Sequence, residues 1–298
     1  MSHFRYVNQK LFVEKISISS IIKKNKTPFY LYSKRQLKEN YLSFIRNFRK
    51  VNPLVCFAAK ANTNLTILKT LKNLGSGADV VSGGELLKAI KAGIKPNKIV
   101  FSGVGKTEEE LKIAIKKNIL LINVESESEV KLINKIARKS NKKVSIGFRL
   151  NPNIDAGTHK KISTGKKENK FGVSIKNFFS FYKNIHNYKN LKFNALSVHI
   201  GSQILSDIPY RKTLNIIHKV VEKLNIKIKY LDLGGGFGIN YSKNEKKLDL
   251  KKYAKAVYNL KEKLGCKIIF EPGRYLVGNT GVIVSKIQYI KRTYKKIY

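Results

Sequence analysis

Acidic residues are scarce in this chain. Only 19 Asp and Glu stand against 60 Lys and Arg in 298 residues, a formal charge of +41. Cysteine is scarce too. Cys56 and Cys266 lie in or beside apolar, strand-like segments, which favours two buried free thiols over a disulfide scaffold, and nothing has metal-ligand spacing. No apolar run approaches the length of a membrane span, and residues 1–25 lack the layout of a signal peptide. These absences set the expectation of a reduced, cytoplasmic protein with no membrane partner.

The charge itself invites a nucleic-acid reading. Its distribution argues against one. The basic residues are spread over the whole chain, mostly as lysine pairs such as Lys116-Lys117, Lys142-Lys143, Lys166-Lys167 and Lys246-Lys247. Asn and Ile are abundant as well, and Lys, Asn and Ile are favoured by AT-rich codons. Compositional drift is therefore a sufficient cause. Non-specific adsorption that salt removes is expected, with no specific nucleic-acid partner.

Eight short apolar runs read as buried strands: 55–59, 78–81, 99–101, 120–124, 144–150, 195–200, 230–233 and 267–270. Between them lie helix-period patterns such as Leu65-Leu68-Leu71, Val130-Ile133-Ala137 and Leu214-Ile217-Val221. Continuous apolar strands alternating with amphipathic helices indicate a parallel sheet covered by helices. Eight such units predict an α/β fold, a closed (β/α)8 barrel, with an open doubly wound sheet as the alternative. In a barrel, chemistry gathers after the C-terminal strand ends. There stand Lys60, Ser82-Gly83-Gly84-Glu85, Gly103, Glu125, Arg149 with Asn151, His199-Ile200-Gly201-Ser202, Gly234-Gly235-Gly236 and Glu271-Pro272-Gly273-Arg274. The two ends leave this rhythm: 29–32 is strand-like, and 282–290 reads as a strand followed by a basic tail, the start of a truncated β-domain.

Each constellation has a chemical and a bland reading. Lys60, closing an apolar run, is placed for a desolvated amine of lowered pKa that attacks an aldehyde such as that of pyridoxal phosphate; lysines at strand ends are also common. The triple glycine before Phe237 brings backbone N–H groups close to a phosphate, or is a turn. Glu271 suits a pyridinium nitrogen, and Arg274 a carboxylate or phosphate, or the two make a surface ion pair. His199 suits stacking on a ring, and Ser202 a hydrogen bond to phosphate. The long polar loop between Arg149 and Gly172 carries Asp155, Thr158, His159, Ser163 and Thr164; acid–base work and loop ordering are both open for Asp155 and His159.

In order, Phe57-Ala58-Ala59-Lys60-Ala61-Asn62, Val81-Ser82-Gly83-Gly84-Glu85-Leu86, Arg149-Leu150-Asn151-Pro152, Thr158-His159, Lys161-Ile162-Ser163-Thr164-Gly165, Lys170-Phe171-Gly172, His199-Ile200-Gly201-Ser202-Gln203, Gly234-Gly235-Gly236-Phe237 and Glu271-Pro272-Gly273-Arg274 resemble the diaminopimelate decarboxylases. These are fold-type III pyridoxal-phosphate enzymes with an alanine-racemase-like barrel. Several motifs are shared with ornithine and arginine decarboxylases. The resemblance implies that Lys60 holds the cofactor covalently, His199 stacks on its ring and Glu271 meets the ring nitrogen. It places Ser202, Gly235, Gly236, Gly273 and Arg274 around the phosphate, with Arg274 also at the substrate carboxylate. It implies conversion of meso-diaminopimelate to L-lysine and CO2, and a homodimer with shared active sites. The expected organisation is an N-terminal segment 1–33 that joins the β-domain, a cofactor-binding barrel 34–275, and the first strand of an incomplete β-domain at 276–298. The alternatives are a basic amino-acid decarboxylase of the ornithine or arginine type and a non-catalytic cofactor-binding barrel.

Overall fold

The computed structural model describes residues 3–159, 162, 164–166, 168–242 and 248–294. Lys161, Ser163, Lys167, Lys246, Lys247 and the tail beyond Tyr294 therefore lie outside the described residues. A small antiparallel sheet opens the chain: β1 (Phe4–Val7), β2 (Lys10–Val13) and β3 (Ile16–Ser17). A short helix α1 (Ile18–Ile22), the strand β4 (Phe29–Tyr32) and helix α2 (Lys34–Asn47) follow.

The repeating part then begins. Strands and helices alternate as β5 (Leu54–Ala58), α3 (Leu65–Asn73), β6 (Gly77–Val80), α4 (Gly83–Lys91), β7 (Ile99–Phe101), α5 (Glu108–Lys117), β8 (Leu121–Val124) and α6 (Glu127–Lys139). The second half runs β9 (Val144–Asn151), β10 (Val173–Ser174), α7 (Ile175–Tyr182), β11 (Leu191–Ser197), α8 (Ile208–Leu224), β12 (Tyr230–Asp232), α9 (Leu250–Leu264) and β13 (Lys267–Phe270). A short helix α10 (Arg274–Val277) and β14 (Gly281–Val284) end the described elements. Helix starts are written locally. Ser33, Asn64, Ser82, Ser126, Ser174 and Asp249 each accept an amide hydrogen bond at an N-cap, and Thr107 with Glu110 forms a reciprocal capping box.

Every pairing in the large sheet is parallel. The order β5-β6-β7-β8-β9-β11-β12-β13 returns to β5, so the sheet closes as an eight-stranded barrel, with β10 as a side strand on β9. All eight predicted strands are present.

Alternation along the strands builds the interior in layers. The lower layer is apolar: Cys56, Val100, Leu121, Ala195 and Ile269 form a cluster of their own. Two residues further along the same strands come Ala58, Ser102, Asn123, Ser197 and Glu271. An apolar plug thus supports a polar layer at the C-terminal mouth. Outside the barrel, Phe44 of α2 and Phe48 at its C-cap pack edge-on and tilted against Phe270, Phe237 and Tyr253. Cys56 and Cys266 are buried and unpaired. Among the described residues, no helix is long and apolar enough to cross a membrane.

The end of the chain departs from expectation. The strand predicted over 282–290 stops at Val284, and 285–290 has no strand pairing. β14 pairs antiparallel with β4, and β4 is only four residues long, so the register has no partner beyond Phe29.

Candidate active site

Lys60 follows β5 in a single 3-10 turn, Ala59–Ala61. Its Nζ donates to Asp79 Oδ2 at 3.1 Å; Asp79 is fully buried on β6, while the lysine side chain is 48% exposed to the cleft. This overturns the expectation of a lowered pKa. The Asp79 carboxylate raises the Lys60 pKa above the ordinary lysine value, outweighing the effect of burial. The resting lysine is an ammonium and must lose a proton before it attacks a carbonyl. Incorporation of pyridoxal phosphate should therefore quicken as pH rises. In Asp79→Asn the same profile should move to lower pH, because the charge that stabilises the ammonium is gone. Stopped-flow absorbance across a pH series checks this, and an unshifted profile would count against it.

His199 was expected at the end of a strand. It lies two residues beyond β11, in the loop, because β11 stops at Ser197. The loop fixes its ring. Gly235 N–H donates to His199 Nδ1 at 3.1 Å, so the ring proton sits on Nε2. Burial, then Arg149 and Lys60, hold its pKa well below the usual histidine range. The imidazole is neutral.

Gly235 and Gly236 are where the turn after β12 requires glycine. A Cβ on Gly235 would strike the Glu271 carbonyl oxygen, and one on Gly236 (φ +87°) would strike that of Gly201. Gly236→Ala combines a left-handed backbone, costing about 1–2 kcal/mol, with crowding worth about 1–3 kcal/mol. A fall in the thermal midpoint and a loss of pyridoxal phosphate affinity are expected in calorimetry. Beside this turn, Arg274 Nη1 donates to Tyr241 Oη at 2.6 Å and Nη2 reaches Ser202 Oγ at 3.5 Å, while the buried Nε has no partner among the described residues. Gln203 spans the same loops, donating to the Ile239 carbonyl and accepting from its N–H.

Glu271, at the end of β13, is 5% exposed and accepts from Ser102 Oγ at 3.2 Å. Burial, then the charges of Asp232 and Asp79, push its pKa well above the carboxylate range. On the other flank, Arg149 Nη1 meets Glu125 Oε1 at 2.8 Å with both side chains buried, and its guanidinium lies 4.8 Å from the Phe171 ring centre. Glu125 Oε2 accepts from Gly172 N–H, tying down the end of the long loop. Asp155 pairs with Lys166 at 2.7 Å and accepts from Gly157 N–H, which is loop ordering.

Lys60, His199, Ser202, Gly236, Glu271, Gly273 and Arg274 line one cleft of about 390 Å³; Gly235 supports it from behind His199. A second cleft of about 330 Å³ shares Lys60, His199 and Glu271 and runs toward Arg149 and Phe171. The donor set fits pyridoxal phosphate: a glycine turn and an unpartnered Arg274 Nε for phosphate, an amine, a fixed neutral imidazole and a buried carboxyl. Reading the sequence missed Asp79, Asn123 and Asp232. Their signal was available, since each is a polar residue interrupting a buried apolar strand.

Residues 34–278 match the family model described as "Pyridoxal-dependent decarboxylase, pyridoxal binding domain". The chain is 41% identical to a diaminopimelate decarboxylase of Aquifex aeolicus over 97% of its own length and 69% of the relative's. It is 44% identical to one from Helicobacter pylori strain J99, covering 91% and 67%. Among solved structures, the H. pylori enzyme complexed with L-lysine superposes with a TM-score of 0.88 at 42% identity, over 92% of this chain and 70% of that one. The M. jannaschii enzyme, also with L-lysine, gives 0.90 at 35% identity, over 99% and 71%.

Proposed function

The chain belongs to the diaminopimelate decarboxylase family, and we propose that the cleft beside Lys60 performs that family's reaction, the decarboxylation of meso-diaminopimelate to L-lysine and CO2. The observation that carries this reading is the convergence of Lys60, His199, Glu271 and Arg274 on one cleft at the C-terminal mouth of the barrel. When bound, pyridoxal phosphate supplies the electron sink that takes up the electron pair released as CO2 leaves.

The residues divide the remaining work. Lys60 is the covalent anchor, and Asp79 keeps a proton on its Nζ until the amine is needed. Glu271 is assigned to the ring nitrogen and His199 to the ring face, the latter held neutral and in one tautomer by Gly235 N–H. Gly235, Gly236, Gly273, Ser202 and Arg274 are assigned to the phosphate, with Arg274 also set toward the substrate carboxylate. Residues 34–275 form the cofactor-binding unit of this proposal, and 1–33 and 276–298 meet through the β4–β14 pair. A cytoplasmic homodimer is part of the same reading. Tyr30 and Ile283, cross-strand partners that are both well exposed, support a surface there that a second copy covers.

The test is an absorbance spectrum of the purified chain with pyridoxal phosphate, followed by measurement of lysine and CO2 from meso-diaminopimelate beside the same assay with ornithine. Cofactor binding with lysine production is the expected result. Preferred turnover of ornithine would favour the basic amino-acid branch. Binding without turnover would leave a cofactor-binding barrel.

A further inference from the structure

Beneath the cleft, two carboxyl groups touch. Asp232, fully buried at the end of β12, and Glu271, 5% exposed at the end of β13, are within hydrogen-bond contact of each other. Both hydrogens of the Asn123 amide nitrogen are spent, one on Asp232 Oδ2 at 2.7 Å and one on Ser102 Oγ at 3.1 Å. Ser102 passes its own hydrogen to Glu271 Oε1 at 3.2 Å. Gly234 N–H serves Asp232 Oδ1 at 3.0 Å. Among the described residues no donor bonds to both carboxyls, the Lys60 Nζ being turned to Asp79, and two carboxylates in contact repel strongly in a buried site. The bond between them needs a proton of its own.

Its location follows from the unequal support. Asp232 accepts two hydrogen bonds from fixed donors, one a backbone amide and one a buried side-chain amide. Glu271 accepts one, from a hydroxyl. Charge settles where more donors face it. We propose that Asp232 is a positioning residue: anchored by Asn123 and Gly234, it keeps Glu271 as the proton-bearing half of a carboxyl–carboxylate pair. The consequence for catalysis rests on the assignment of Glu271 to the cofactor's ring nitrogen. A basic nitrogen arriving there meets an acid already loaded. Glu271 would give its O–H proton to that nitrogen, and the cation so formed would offset the second carboxylate charge in the proton's place, with Asp232 still held by its two donors. No proton has to enter from solvent. The groups facing the pair are Lys60 and Cys56 from β5 and its following turn, and Asp79 from β6. Lys60 and Asp79 form an ion pair of their own, and burial with the nearby carboxylates pushes the Cys56 thiol up, so it stays neutral.

The experiment is infrared spectroscopy of the cofactor-free chain labelled with 13C in the glutamate carboxyls. At neutral pH the wild type should show a protonated-carboxyl band that is absent from Glu271→Gln. Asp232→Asn, which retains an acceptor for Gly234 N–H, should weaken the band strongly, since the neighbouring negative charge is gone while burial still favours the protonated form. A wild type without the band overturns the proposal without recourse to any Asp232 variant, as does a band undiminished in a folded Asp232→Asn. Adding pyridoxal phosphate to the wild type should erase the band as the cofactor's visible absorbance appears. A band that survives cofactor binding sinks the assignment of Glu271 to the ring nitrogen and leaves the proton-sharing pair standing.

Discussion

Lys60→Ala should lose decarboxylation by roughly 10³-fold or more, toward the upper end of what a single proton-transferring group contributes, because the same side chain is also the covalent anchor. The chain contains so many lysines that a functional assay alone is a weak test. Borohydride reduction is stricter. In the wild type it should leave the mass of the reduced cofactor on the peptide bearing Lys60 and on no other. In Lys60→Ala that mass should vanish, with a normal circular dichroism spectrum, since the side chain is half-exposed and its one hydrogen bond is to Asp79. A second lysine labelled with equal yield would show that the cleft does not select Lys60. The Asp79 pairing explains why selection is expected: it fixes the amine at the mouth of the barrel, beside Glu271 and His199.

Glu125→Ala should be the most destabilising single change at the site. Arg149 and Glu125 are 8% and 3% exposed, so removing the carboxylate leaves a guanidinium buried without its counter-charge. Such losses cost about 3–5 kcal/mol. The loop end at Gly172 loses its acceptor at the same time. Urea denaturation should show a much lower midpoint with little change in slope. Glu108→Ala, which breaks an exposed pair with Lys112 one helical turn away, is the control and should leave the midpoint unchanged. If the two variants behave alike, the Arg149 charge is being met by water or by the His199 carbonyl, which already lies 3.4 Å from Nη2.

Much of this was legible before the fold was known. The strands of a parallel barrel are buried on both faces, so they read as unbroken apolar runs such as Ile99-Val100-Phe101 and Ile268-Ile269-Phe270, and their ends mark the chemistry. What failed to show was pairwise. The charge on Lys60 depends on Asp79, a residue 19 positions away that reaches it through strand pairing, and no local pattern carries that. The proton proposed between Asp232 and Glu271 depends on which neighbours donate, and that is settled only when the closed barrel brings Asn123 of β8 across the interior to β12 and β13. The overlong reading of the final strand has a simpler cause. Val282 to Ile290 is rich in β-branched residues, but propensity measures fit to a sheet, and over 285–290 the described structure offers no strand to pair with.

The barrel closes where β13 meets β5, through Ile269 beside Leu54 and Phe270 beside Val55. These are the last and first strands of the ring, so the contact cannot form until nearly the whole chain between them has been gathered, at a steep cost in chain entropy. Lys60 and Glu271 stand on opposite sides of that join. A cofactor touching both binds the closed ring and has nothing to hold in an opened one. Loading should therefore slow amide hydrogen exchange in β5 and β13 more than in β7 and β8 across the ring. At a hundredfold excess over its dissociation constant the added protection is about 2.7 kcal/mol.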